Sequence, residues 1–191
     1  MGVNKTILSD LSRAVSHALR HEPWRYELEL DSEGWVSVEQ LLESLRSERS
    51  EWGGLEELDL QAMIERSEKR RHEIRDGRIR ACYGHSIPQR LSRTPSKPPS
   101  VLFHGTNPLN VDLIREHGLK PMNRQNVHLS VDNATAKEVG RRKSKDAIVL
   151  RINAAKAFEQ GISFYEGNEK VWLADAVPSQ FIEFCPAGQE T

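Results

Sequence analysis

The chain has 191 residues, 37% of them hydrophobic and 29% charged, which suits one large domain or two small ones, because chains usually divide at about 100–150 residues. No apolar run approaches the roughly 20 residues needed to cross a bilayer; residues 1–11 lack the apolar stretch of a secretion signal; and Cys82 and Cys185 are too distant in sequence for a disulfide framework or a zinc site. The expectation is a soluble, cytoplasmic protein. Its net charge of −1 hides an uneven distribution, with ten Lys/Arg against three Asp/Glu in residues 66–97. That excess reads either as the seat of an anionic partner or as a solvated, salt-bridged face.

In chain order, Leu8, Leu11, Val15, Ala18 and Leu19 recur at helical spacing, and Pro23 ends that helix near Arg20-His21-Glu22. Ser37-Val38-Glu39-Gln40 has the S-x-x-Q form of a capping box, opening a helix with Leu41, Leu42 and Leu45 inward. A third helix is expected after Asp59, burying Leu60, Met63 and Ile64. Arg71–Arg75 and Arg78–Ala81 flank Asp76-Gly77, a strong hairpin signal. Three helices followed by a hairpin read as a winged helix, with several of Arg71, Arg75, Arg78 and Arg80 sharing one face of the wing. Four prolines among residues 88–100 predict a semi-rigid, solvated linker and a domain boundary.

Beyond the linker, Val101-Leu102-Phe103 predicts a strand ending at His104-Gly105-Thr106. Asn107-Pro108 opens a helix that ends near Gly118. Val127–Ser130 reads as a strand, Asp132 as the cap of a helix running to about Gly140, and Ala147–Ile152, Val171–Leu173 and Phe181–Cys185 as further strands. Short strands separated by short helices make the fold class α+β.

Neither a Gly-rich phosphate loop nor a zinc-spaced ligand cluster occurs in the sequence. The candidates are dispersed cations and imidazoles. Arg20-His21 can grip a phosphate, or can simply complement a helix C-terminus. Lys69-Arg70-Arg71-His72 is either a phosphate clamp or an exposed basic run. Gly84-His85-Ser86 offers a polar contact surface or a plain turn. His104 and His128, at strand ends, can line a cleft or serve as structural residues, and Gly105 can admit a ligand to the backbone.

Taken in register, these segments resemble the RNA 2′-phosphotransferase family, the enzymes of the final step of fungal tRNA splicing and their bacterial and archaeal relatives. The matching blocks include Leu19-Arg20-His21, Gly34-Trp35-Val36, Lys69-x-Arg71, Ile79-Arg80-Ala81 with Gly84-His85-Ser86, Leu102-Phe103-His104-Gly105-Thr106, Arg124 to Ser130, Gly140-x-Arg142 and Val171-Trp172-Leu173. The resemblance implies a winged-helix lobe over residues 1–90, a linker over 91–100 and an ADP-ribosyltransferase-like lobe over 101–191.

It also implies a reaction. An internal RNA 2′-phosphate attacks C1″ of NAD⁺ and expels nicotinamide, forming RNA-2′-phospho-ADP-ribose. The 2″-hydroxyl then frees RNA with a 2′-hydroxyl and ADP-ribose 1″,2″-cyclic phosphate. By the same resemblance the catalytic tetrad is Arg20, His21, Arg71 and Arg124; His104, Gly105, Thr106, His128, Ser130 and Arg142 line the NAD⁺ site; and Lys69, Arg80, His85 and Ser86 contact the RNA or its phosphate. NAD⁺ serves as co-substrate, and no metal and no obligate protein partner are expected. Departures from the family pattern fall at His72 (usually Phe), Tyr83 (usually Gln), Gln125-Asn126, Lys143-Ser144 and Glu169-Lys170. Two competing readings remain: an ADP-ribosyltransferase that stops after the first step, and a non-catalytic winged-helix nucleic-acid-binding protein.

Overall fold

The apolar stripe of the first segment forms α1 (Lys5–Arg20), with Leu11, Val15, Ala18 and Leu19 fully buried. The computed structural model describes residues 5–184. Past α1, Pro23 opens a 3-10 turn, Pro23–Tyr26, closed by Glu27 in the left-handed region. A two-residue strand, β1 (Val36–Ser37), leads into α2 (Val38–Glu48), and α3 (Glu57–Glu65) follows. The capping box expected at Ser37 does not form, since the Ser37 side chain makes no cap hydrogen bond. The Val38 N–H instead donates to the Gly77 carbonyl at 3.0 Å, a partner far along the chain. Asp59 does not cap α3 from outside. It lies within the first turn and accepts from the Glu56 N–H at 2.9 Å.

β2 (His72–Arg75) and β3 (Arg78–Ala81) form the hairpin, and Asp76 and Gly77 have φ of +52° and +68°, the pair of left-handed residues that a type I′ turn requires. β1 pairs with β3, so the antiparallel order is β1-β3-β2. The register Glu73↔Arg80 and Arg75↔Arg78 sets Arg75, Arg78 and Arg80 on one face, as expected, but with Glu73 among them. His72, Ile79 and Ala81 occupy the buried face.

The chain divides into two units, Met1–Arg93 and Thr94–Thr191. The proline-rich stretch is not solvated throughout: residues 88–90 are exposed, but Leu91 is buried in the first unit, packed on Gly34, and the Ser92 N–H donates to the Ser32 carbonyl at 2.7 Å. Gly34 leaves room for Leu91 and sits at φ +84°.

The second unit is built on one antiparallel sheet. Its strands are β4 (Val101–Thr106), β5 (Val127–Ser130), β6 (Ile148–Asn153), β7 (Phe164–Asn168), β8 (Val171–Ala174) and β9 (Ile182–Glu183), in the order β7-β8-β5-β4-β6-β9. Helices α4 (Val111–His117), α5 (Asn133–Arg141) and α6 (Ala154–Glu159) complete it. Asn107 accepts from the Leu109 N–H as expected of a cap, though Pro108 begins a 3-10 turn before α4. Asp132 caps α5 through the Thr135 N–H at 2.7 Å. The last expected strand is shorter: a 3-10 turn, Ser179–Phe181, precedes β9, and Cys185 lies outside the described residues. Helices and antiparallel strands thus combine as α+β. Among the described residues no helix is long and apolar enough to cross a membrane.

Candidate functional site

In the first unit, the end of α1 meets the segment that leaves the hairpin. Arg20 donates from Nη2 to the Arg71 carbonyl at 3.2 Å. Its guanidinium also lies over the Tyr83 ring, 5.2 Å from the centroid. Gly84 faces the same guanidinium at van der Waals distance and has φ +93°, a conformation that favours glycine. His21 Nδ1 and the Ser86 hydroxyl share a 2.8 Å hydrogen bond, and the Ser86 N–H donates to the Arg20 carbonyl at 2.9 Å. Arg20, His21, Arg71, His85 and Ser86, scattered in sequence, are therefore neighbours.

His72 shows how an imidazole is tolerated near the charges of Arg20 and Arg71. It is 2% exposed, and its Nε2 is hydrogen-bonded to the Ser16 hydroxyl at 3.1 Å. Burial, reinforced by the charges of Arg20, Arg71 and His85, pushes its pKa down to about 3. At neutral pH His72 is an uncharged packing group, so it leaves the arginine charge for an anion. The sequence offers His72 both as part of a basic run and as a departure from the family pattern, and its burial removes it from any exposed run. The inward alternation of its strand was the available signal.

The other candidates in this unit divide. Lys69 is half-buried in the loop between α3 and β2. Arg80 is held within the sheet: it pairs with Glu73 and with Glu33 and stacks on Trp35 at 4.4 Å. Arg78 pairs with Asp31 at 2.9 Å. Burial of Asp31 acts against ionisation, but the N–H groups of Trp35 and Glu33 and the Arg78 guanidinium prevail and hold its carboxyl below the usual range. These two arginines secure the hairpin to the loop at residues 31–35, so the hairpin's basic excess is largely answered from within.

In the second unit, β4 and β5 pair only at Phe103↔Ser130. Past that point the His128 carbonyl accepts from His104 Nδ1 at 2.9 Å. A carbonyl only accepts, so Nδ1 carries the hydrogen. Burial lowers the His104 pKa, the His128 bond and Lys143 being lesser influences, so the ring is neutral at pH 7 and Nε2 is an acceptor. Such an atom suits a hydroxyl donor, as a ribose offers, and does not suit a phosphate oxygen. Thr106 shares the His104 face of β4, whereas Ser130, opposite Phe103, turns to the other face of the sheet; both are buried.

The side-chain face of Gly105 is filled by α5: a Cβ there would sit 1.9 Å from the Ala136 carbonyl and 2.9 Å from the Gly140 nitrogen. Arg142 ends α5 and pairs with Glu138 at 2.9 Å, one turn back on the same helix, both exposed. Arg124 is exposed in the turn that begins at Pro121, whose carbonyl its N–H reaches at 3.2 Å. Sequence reading missed Asp175, which accepts from the Tyr165 hydroxyl at 3.0 Å and from Asn126 at 3.2 Å, anchoring the segment between Arg124 and β5.

Residues 7–176 match the family model described as RNA 2′-phosphotransferase, Tpt1 / KptA family. The chain belongs to the RNA 2′-phosphotransferase family. Similar members include one from Bacillus thuringiensis, 55% identical over 174 residues that cover 91% of this chain and 94% of the relative. Another, from Acetivibrio thermocellus, is 54% identical over 176 residues, covering 92% and 96%. A third, from Pyrococcus horikoshii, is 39% identical over 168 residues, covering 88% and 93%. All three carry the name probable RNA 2′-phosphotransferase. In this phosphotransferase-family chain, the departure at position 72 is accommodated physically: a neutral, buried imidazole fills a place suited to an apolar ring.

Proposed function

We propose that this protein removes an internal 2′-phosphate from RNA by transferring it to NAD⁺ in two steps. The products are RNA with a 2′-hydroxyl, nicotinamide and ADP-ribose 1″,2″-cyclic phosphate. Residues 1–90 are read as a winged helix that receives the RNA phosphate, residues 91–100 as a linker, and residues 101–191 as an ADP-ribosyltransferase-like lobe that receives NAD⁺. The reading rests above all on the convergence of Arg20, His21 and Arg71 beside an imidazole held neutral by burial.

NAD⁺ supplies an electrophilic sugar carbon with nicotinamide as its leaving group. The chain's own residues bind, orient and stabilise charge. The guanidiniums of Arg20 and Arg71 are permanent cations whose planar forks match phosphoryl oxygens. They stabilise negative charge as it shifts among those oxygens, a task a metal ion performs elsewhere. His21, held through Nδ1, offers Nε2 to position the phosphate or to move a proton. Arg124, on the second unit, is the fourth member of the tetrad by resemblance. His104 Nε2 would accept from a ribose hydroxyl of NAD⁺, and Gly105, Thr106, His128, Ser130 and Arg142 belong to the same site by resemblance. A cytoplasmic setting accords with free access to NAD⁺ and RNA.

Incubation of the protein with a 2′-phosphorylated oligoribonucleotide tests this. Loss of the 2′-phosphate should require NAD⁺, yield the cyclic phosphate and survive chelator. Nicotinamide release without cyclic phosphate would mark an enzyme that stops after the first step. RNA binding with no NAD⁺-dependent product would defeat the enzymatic reading.

A further inference from the structure

We infer that the segment Tyr83–Ser86 is the positioning device of the phosphate site, its aromatic face carrying the Arg20 guanidinium and its terminal hydroxyl holding the His21 imidazole. The inference rests on the phosphotransferase reading and adds residues that act on the tetrad rather than on substrate. The need for such a device follows from where Arg20 and His21 lie. Both stand at or beyond the last turn of α1, where the helix no longer fixes its own backbone. A long arginine side chain also has about 2 kcal/mol of rotamer entropy to lose before it points anywhere.

The segment answers each freedom separately. The Ser86 N–H donates to the Arg20 carbonyl, fixing the backbone. The Ser86 hydroxyl bonds His21 Nδ1 at 2.8 Å, fixing the ring. The Tyr83 ring, 9% exposed, supports the guanidinium at 5.2 Å from its centroid. Partial desolvation strengthens a contact of this type. A ring face attracts the cation without consuming an N–H donor. Gly84 at φ +93° turns the chain between these two ties without crowding Arg20. Because Nδ1 is engaged by Ser86, the atom that His21 brings to the phosphate is Nε2. The Ser86 hydroxyl rotates freely, so it can serve both the neutral and the protonated ring.

The test uses the full chain and its variants Ser86→Ala, Ser86→Thr, Tyr83→Leu and Tyr83→Phe. Steady-state rates of NAD⁺-dependent 2′-phosphate removal are measured against pH, and nitrogen NMR of the His21 imidazole is recorded without substrate. Ser86→Ala should lower kcat by about ten- to a hundredfold with little change in KM, the scale expected of a misplaced group. It should also shift the His21 Nδ1 resonance, since that nitrogen loses its hydroxyl partner. Ser86→Thr keeps the hydroxyl and should restore both. Tyr83→Leu should lower kcat while Tyr83→Phe, which keeps the ring face, should retain it within about threefold. An unchanged kcat and His21 Nδ1 resonance in Ser86→Ala, or equal rates for Tyr83→Leu and Tyr83→Phe, overturns the inference. A wild-type protein without NAD⁺-dependent activity sinks the phosphotransferase reading instead. The His21 spectrum then decides alone whether Ser86 positions the ring.

Discussion

Arg20 and Arg71 keep permanent charge beside a histidine that keeps none, and that contrast carries two predictions at the scale of single residues. Arg20→Ala, Arg71→Ala and Arg124→Ala should each reduce the rate of 2′-phosphate removal by orders of magnitude, because each deletes about 3–4 kcal/mol of charge stabilisation. Circular dichroism should report intact folds, since none of the three lies in a hydrophobic core; near-normal turnover by any of them refutes its assignment. His72 governs acid stability. Its pKa is about 3 in the folded chain and 6.5 when unperturbed, so between those values the unfolded chain binds the extra proton and stability rises with pH. The contribution is complete above pH 6.5 and is lost as pH falls toward 3. Urea unfolding at pH 7 and pH 5 should show a loss of about 2 kcal/mol that His72→Phe abolishes. An equal loss in both proteins contradicts the neutral imidazole.

At the scale of elements, the crossing of α5 over β4 depends on two glycines. Gly105→Ala would set a methyl 1.9 Å from the Ala136 carbonyl, a backbone atom that moves only with its helix. Overpacking of this type costs about 1–3 kcal/mol or more. The midpoint of thermal unfolding should drop by several degrees, and no drop would mean that α5 is free to shift. Such crossings show why some elements were legible in the sequence and others were not. The Asp76-Gly77 hairpin and the caps Asn107 and Asp132 could be read because their chemistry is local. The start of α2 could not, because the Val38 N–H is satisfied by Gly77, across the sheet. α6 is six residues long and lacks a full amphipathic period. β7 contains Gly167 and a register shift that break alternation. Within the candidate site, the residue chemistry marks Arg20-His21 and His104-Gly105-Thr106 as candidates, and only the family resemblance chooses between their functional and structural readings. Their physical partners, Tyr83, Ser86 and the His128 carbonyl, are set by tertiary contacts that no spacing encodes.

For the molecule as a whole, charge is better judged by what it is paired with than by its sum. The ten cations of residues 66–97 suggest a broad phosphate-binding surface. Bound as free cations, they would give single-stranded RNA binding a salt slope near −7, at about −0.7 per phosphate. Arg78 and Arg80, however, are paired with Asp31, Glu33 and Glu73, and Arg75 and Arg80 flank Trp35 at 5.1 and 4.4 Å. A phosphate would have to displace carboxylates that the hairpin itself requires. The cations most able to serve RNA are therefore those near Arg71, and about three phosphate contacts, a slope of roughly −2, is expected. Affinity for a 2′-phosphorylated oligoribonucleotide, measured against salt concentration, reads this directly. Arg71→Ala should reduce the slope by about 0.7, whereas Arg78→Ala should leave it unchanged while weakening the tie to Asp31. A slope near −7, or equal losses from the two substitutions, would mean that the whole basic stripe binds RNA and that its internal ion pairs open when RNA arrives.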